Sequence, residues 1–163
     1  MRINNSKVKN TIVSVYFILI VLAIVFATIF KAFRDLTSNP SLTFIIITSG
    51  FGLLFLLVHF ISKYFEYDSD GVKVVVKNSG LLLSDSFNYR EKVLEFEKID
   101  LYAYKFNNYL VYRTLTFYIK DSRNKRKGET FNVTLVPGKK RRYIRQSLSK
   151  MIKTNKNSQK INE

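Results

Sequence analysis

The chain has 163 residues, with 27 Lys and Arg against 12 Asp and Glu, for a formal net charge of +15. It has no cysteine, which excludes a disulfide framework and any thiolate metal site. A single histidine excludes most histidine-built metal and haem centres within one chain. The charge is unevenly spread. Residues 64–119 carry seven basic and eight acidic side chains, whereas residues 120–163 carry fourteen and three. The basicity therefore belongs to a face or tail in the last quarter.

Arg2, Lys7 and Lys9 precede residues 11–30, a run of twenty without Lys, Arg, Asp or Glu; residues 41–62 form a second such run of twenty-two. About 20 apolar residues at ~1.5 Å rise cross the hydrocarbon core, so both runs are long enough to span a bilayer. The first is too long for a signal-peptide core and ends without a cleavage-type pair of small residues. Neither run has the polar face that a surface helix of a soluble protein would show. The link holds Lys31, Arg34 and Asp35, and Asn39-Pro40 marks a turn and the start of the second helix. Basic residues flank the pair outside the link, and the positive-inside rule then predicts both termini in the cytoplasm. Residues 1–63 are thus expected to form an N-terminal tail and a two-helix transmembrane hairpin, with spans at 11–30 and 41–62. Ser49, Gly50 and Gly52 in the second span would permit close packing against the first span or another subunit. His59 reads as a neutral imidazole near the interface, since a haem or proton relay needs partners this chain lacks.

From residue 64 the pattern changes to alternation. Strands are predicted at 64–67, 72–77, 81–84, 92–97, 100–106, 110–120 and 129–136, with turn signals about every eight to twelve residues, as in a small sandwich or barrel. Val72, Val74 and Val76 are expected to share an inward face, as are Val111, Leu115, Phe117 and Ile119, with Arg113 the misfit. Phe131, Val133 and Leu135 are expected inward on the last strand. Residues 139–154 read as an amphipathic helix, because Ile144, Leu148, Met151 and Ile152 fall on one side. The polar residues 155–163 are expected to be a disordered tail.

The stretch "VVVKNSGLLLSDSFNYREKVLEFEKIDLYAY" and the pair "LTFYIKD…ETFNVTLVPGKKRRYIRQSL" carry a resemblance. Seven strands and one C-terminal helix behind a transmembrane hairpin resemble the bacterial pleckstrin-homology-like membrane proteins, over roughly residues 64–153. The resemblance implies a membrane α hairpin plus an all-β barrel of seven antiparallel strands, closed by a C-terminal capping helix within residues 64–154. It brings no catalytic residue, and implies a scaffold for proteins, lipids or neighbouring subunits.

No enzyme is expected. Glu95 and Glu97 share one side of a strand, but general acid–base work needs a pocket that drives their pKa values apart. Ser84-Asp85-Ser86 has no histidine nearby, and no phosphate loop or zinc spacing appears. Domains of the resembled fold in eukaryotes often bind inositol phosphates at the first turn, yet here that turn is Asp68-Ser69-Asp70-Gly71, which repels such a ligand. Two carboxylates also fall short of a calcium site. The aromatics Tyr102, Tyr104, Phe106, Tyr109, Tyr112, Phe117 and Tyr118 suit sheet faces better than a nucleic-acid platform, and no RNP-like signature accompanies them.

Two basic clusters remain. Arg123, Lys125, Arg126 and Lys127 lie in the last hairpin; Lys139, Lys140, Arg141 and Arg142, with Arg145, lie at the helix start. If the first strand stands upright where the membrane ends, its far turn lies about 16–20 Å out at ~3.3 Å per residue. The last hairpin shares that distal end, facing the cytoplasm or a partner, and the returning seventh strand brings the helix start towards the head groups. Each basic residue there contributes about 1 kcal/mol near an anionic leaflet. The expected role is a non-enzymatic subunit of the bacterial cytoplasmic membrane, without cofactor or metal, presenting its cytoplasmic domain to a protein partner or a second copy. The alternatives are recognition of anionic lipid, or an accessory subunit of a transporter or channel.

Overall fold

The computed structural model describes residues 1–29, 40–80, 91–120 and 125–161. They divide into a helical unit, Lys7–Phe60, and a β unit made of Met1–Ser6 with Ile61–Glu163. The expected strand at 81–84, the charges of the link and Arg123 lie outside the described residues.

In the helical unit, α1 spans Val8–Ile29 and α2 spans Pro40–Ile61. Twenty-two residues at ~1.5 Å rise give about 33 Å, enough for a hydrocarbon core. Within them, Val8–Phe26 and Phe44–Ile61 are long and apolar enough to cross a membrane. Large apolar side chains such as Phe17, Ile24, Leu53, Leu56 and Phe60 lie exposed, the reverse of a soluble core helix. Tyr16 meets Phe55 at 4.6 Å between ring centres, and Phe26 meets Phe51 at 5.6 Å. Ser49, Gly50 and Gly52 do not mark this contact. All three are exposed, and a Cβ built on either glycine meets nothing within 4 Å.

The β unit holds two antiparallel sheets. Sheet one runs β1 (Arg2–Asn4), β2 (Lys63–Asp68), β3 (Lys73–Gly80) and β4 (Lys92–Glu97), in that spatial order. Sheet two runs β5 (Leu101–Asn108), β6 (Arg113–Lys120) and β7 (Arg126–Asn132). A single 3-10 turn, Lys98–Asp100, joins the sheets, and α3 (Gly138–Ile161) follows β7. Alternation explains the burial: Val74 and Val76, Leu94 and Phe96, and Leu115, Phe117 and Ile119 all face one core. Phe117 contacts Phe96 of sheet one at 5.9 Å and Phe131 of sheet two at 5.6 Å. Ile144 and Leu148 of α3 are fully buried against this core, with Met151 and Ile152 packed beside them, as the helical spacing predicts.

Several expectations are corrected. β1 was not expected: Ile3 enters the core and pairs with Tyr67, which turns the supposed tail into an edge strand. Its Arg2 Nε donates to Glu66 Oε1 at 2.6 Å, and the Tyr64 hydroxyl donates to Oε2 at 2.8 Å. Burial, then this bond to Glu66, pushes the Tyr64 phenol up to about 12, so it remains a donor. Val72 is exposed in the β2–β3 turn, because β3 begins one residue later. Val111 is also exposed, and Arg113 ceases to be a misfit, since β6 begins with it. β7 ends at Asn132, so Leu135 is half-buried in a turn and Val136 takes the inward place.

The expected disordered tail is instead helix up to Ile161. Asn155 Nδ2 donates to the carbonyls of Lys98 at 2.8 Å and Leu101 at 2.9 Å, which anchors that turn. Thr154 and Ser158 hydroxyls bond back to carbonyls four residues earlier, so the polar side chains satisfy themselves along the helix.

Candidate anion-binding end of the β unit

The strands place their turns at two ends. Lys63 pairs with Gly80, and Asn108 pairs with Arg113, at the end where β7 also finishes. The β2–β3 turn and the start of β7 lie at the other end, where Lys73 pairs with Glu97 and Lys120 with Arg126.

Side-chain amides tie the first end together. Asn5 is buried; its Nδ2 donates to the Lys63 carbonyl at 3.0 Å and its Oδ1 accepts from the Phe65 amide at 2.9 Å. The segment leading into α1 is thus clamped to the strand that leaves α2. Asn78 Nδ2 donates to the Tyr64 carbonyl at 2.7 Å and to the Asn132 carbonyl at 3.2 Å, which joins the sheets. Thr134 Oγ1 accepts from the Arg113 amide at 3.0 Å. Lys140 Nζ donates to the Asn4 carbonyl at 2.6 Å, two residues before the β unit passes into the helical unit at Ser6.

Pro137 and Gly138 open α3, so that the basic run occupies its first turn. No acidic residue stands there to complement the helix dipole, and positive charge at that position opposes it by about 0.3–1 kcal/mol per residue. Lys139 and Arg142 are exposed, while Lys140 and Arg141 are half-buried. Arg141, Arg142 and Arg145 line a cavity of about 560 Å³ together with Arg113 from β6. Phe106 and Tyr109 form its apolar wall. The Arg145 guanidinium lies 5.2 Å from the centre of the Phe106 ring, a cation–π contact that holds its stem.

Burial first, then the charges of Arg113 and Arg145, lowers the Arg141 pKa. The guanidinium nonetheless stays charged, because arginine does not deprotonate in proteins. Among the described residues no carboxylate forms an ion pair with Arg113, Arg141, Arg142 or Arg145. Four like charges around one cavity repel each other, and an anion with several acceptor oxygens relieves that repulsion. Arg113 is the member the sequence reading missed. It stood out there only as a charge in an apolar strand, which was its one visible signal.

The basic loop at the other end differs. The Arg126 guanidinium lies 5.0 Å from the Tyr102 ring centre, and Lys127 pairs with Glu129 at 3.0 Å. Lys125 is exposed. Glu129 also pairs with Lys92 at 2.7 Å, so much of that charge is answered within the unit. Glu95 pairs with Lys73 at 2.9 Å on the solvent face. Among the described residues no three His, Asp or Glu side chains gather as a metal ion would need.

The chain matches no protein family, no curated protein and no solved structure with which it was compared.

Proposed function

We propose that this chain is a non-enzymatic protein of the bacterial cytoplasmic membrane, anchored by α1 and α2, whose pleckstrin-homology-like β unit holds anionic lipid head groups. The order of four strands, three strands and a terminal helix supports the fold assignment. Lys140 bonded to the Asn4 carbonyl is the observation that carries the functional reading. It ties the basic start of α3 to the point where the chain departs for a helix able to cross a membrane. The residues that meet head groups are then Lys139, Lys140, Arg141, Arg142 and Arg145. Both termini lie in the cytoplasm in this arrangement, on the side rich in anionic lipid. Arg123, Lys125, Arg126 and Lys127 are left for a protein partner, an accessory role compatible with lipid binding. Pairing of Arg126 and Lys127 inside the unit makes that role the less supported of the two.

The test is native mass spectrometry of the full chain released from nanodiscs of mixed anionic and zwitterionic phospholipid. The wild-type chain is expected to retain anionic lipid above its bulk fraction. Converting residues 139–142 to Gln is expected to lower that enrichment several-fold, in line with ~1 kcal/mol per basic residue near the leaflet. Unchanged enrichment would overturn the head-group reading. A stoichiometric protein partner retained in its place would favour the assembly subunit.

A further inference from the structure

Tyr109, Leu110 and Val111 form the tip between β5 and β6, and all three are exposed, Leu110 at 103% of its reference area. Such tips ordinarily carry Gly, Asn, Asp or Ser, which satisfy turn geometry and tolerate water. Here the turn is closed and ordered despite its apolar content. The Tyr109 amide donates to the Tyr112 carbonyl at 2.8 Å, and the two rings stack with centres 6.3 Å apart. Water is a poor environment for three adjacent apolar side chains, so the tip calls for a partner that buries it.

The cationic cavity lies directly behind this tip. Arg113 follows it by two residues and lines that cavity with Arg141 of α3. An apolar point with a collar of arginines matches one occupant in both respects. A bilayer boundary offers hydrocarbon about 5–10 Å below its phosphates. Arginine grips phosphate through paired N–H donors, which suits a head group held at the collar. The location agrees, since Arg113 is joined through Thr134, Asn132 and Asn78 to Tyr64, the second residue of the strand that leaves α2.

We propose that residues 109–111 insert into the apolar boundary of an anionic leaflet, while Arg113 and Arg141 in the cavity behind them hold a lipid head-group phosphate. The hairpin becomes a third point of attachment besides the two helices, fixing the orientation of the β unit on the leaflet. This inference rests on the membrane-surface reading above, and adds a wedge and a phosphate site which that reading does not require.

The absence of cysteine allows one label per molecule. A nitroxide at Leu110→Cys in the full chain is compared in phosphatidylglycerol and phosphatidylcholine nanodiscs, reading its collisions with oxygen and with a water-soluble nickel chelate. In phosphatidylglycerol, oxygen collisions are expected to dominate several-fold; in phosphatidylcholine the balance is expected to shift towards the chelate. Arg113→Gln should move the label towards water in phosphatidylglycerol, since the substitution leaves the backbone bond to Thr134 intact. A label at Val72→Cys, on the opposite turn, should report water throughout. A Leu110 label that remains aqueous in phosphatidylglycerol overturns the proposal, as does a label whose shielding is the same in the two lipids and is not moved by Arg113→Gln. If residues 139–142 still enrich anionic lipid while the Leu110 label stays aqueous, the hairpin inference falls and the head-group reading stands.

Discussion

Phe117→Ala is expected to lower the stability of the β unit by about 3–5 kcal/mol, the usual cost of removing a fully buried aromatic ring. Phe117 has no solvent exposure and touches Phe96 of one sheet and Phe131 of the other. Its loss opens a cavity where the two sheets meet, and it removes two ring contacts worth about 0.5–1.5 kcal/mol each beyond their area. Urea unfolding of the full chain in mild detergent, followed by near-ultraviolet circular dichroism of its tyrosines, measures the change. Val93→Ala serves as the comparison, since Val93 is half-exposed on β4 and its loss should stay within about 0.5 kcal/mol. Equal effects for the two substitutions would contradict a core centred on Phe117.

Asn5→Ala is the second large effect. The Phe65 amide would be left buried without an acceptor and the Lys63 carbonyl would lose a donor, at about 1–3 kcal/mol for a stranded group. The consequence is local as well as global. β1 would loosen from β2, and exchange of the Phe65 amide hydrogen should accelerate along with the fall in stability. A Phe65 amide that exchanges as slowly as in the wild type would show that ladder pairing alone holds β1.

The two apolar runs were legible because a membrane-length segment needs no partner to be recognised. The alternating strands β3, β4 and β6 were legible too, as was the apolar stripe of α3, whose period alone identifies its buried side. β1 was not, because Arg2, Ile3 and Asn4 carry no local signal and their strand exists only through pairing with residues 66–68. The start of β6 is hidden for a related reason. Val111 fits an alternating strand, but the chain spends it on a turn, and only the cross-strand partner Asn108 reveals where β6 begins. The last turns of α3 were hidden because Asn155 finds its acceptors more than fifty residues away. At the candidate site, the run at residues 139–142 announced itself as charge. Its convergence with Arg113 did not, since only the tertiary packing of α3 beside the β5–β6 hairpin brings these arginines around one cavity.

In the proposed arrangement the end of the β unit bearing Lys139 lies against an anionic leaflet. Amine acetylation of the full chain in nanodiscs tests it most directly, because Lys139 and Lys125 are both exposed and stand at opposite ends of the unit. Lys139 is expected to react several-fold more slowly in phosphatidylglycerol than in phosphatidylcholine discs, with Lys125 unchanged. Equal rates for Lys139 in the two lipids would show that this end of the unit does not meet the leaflet.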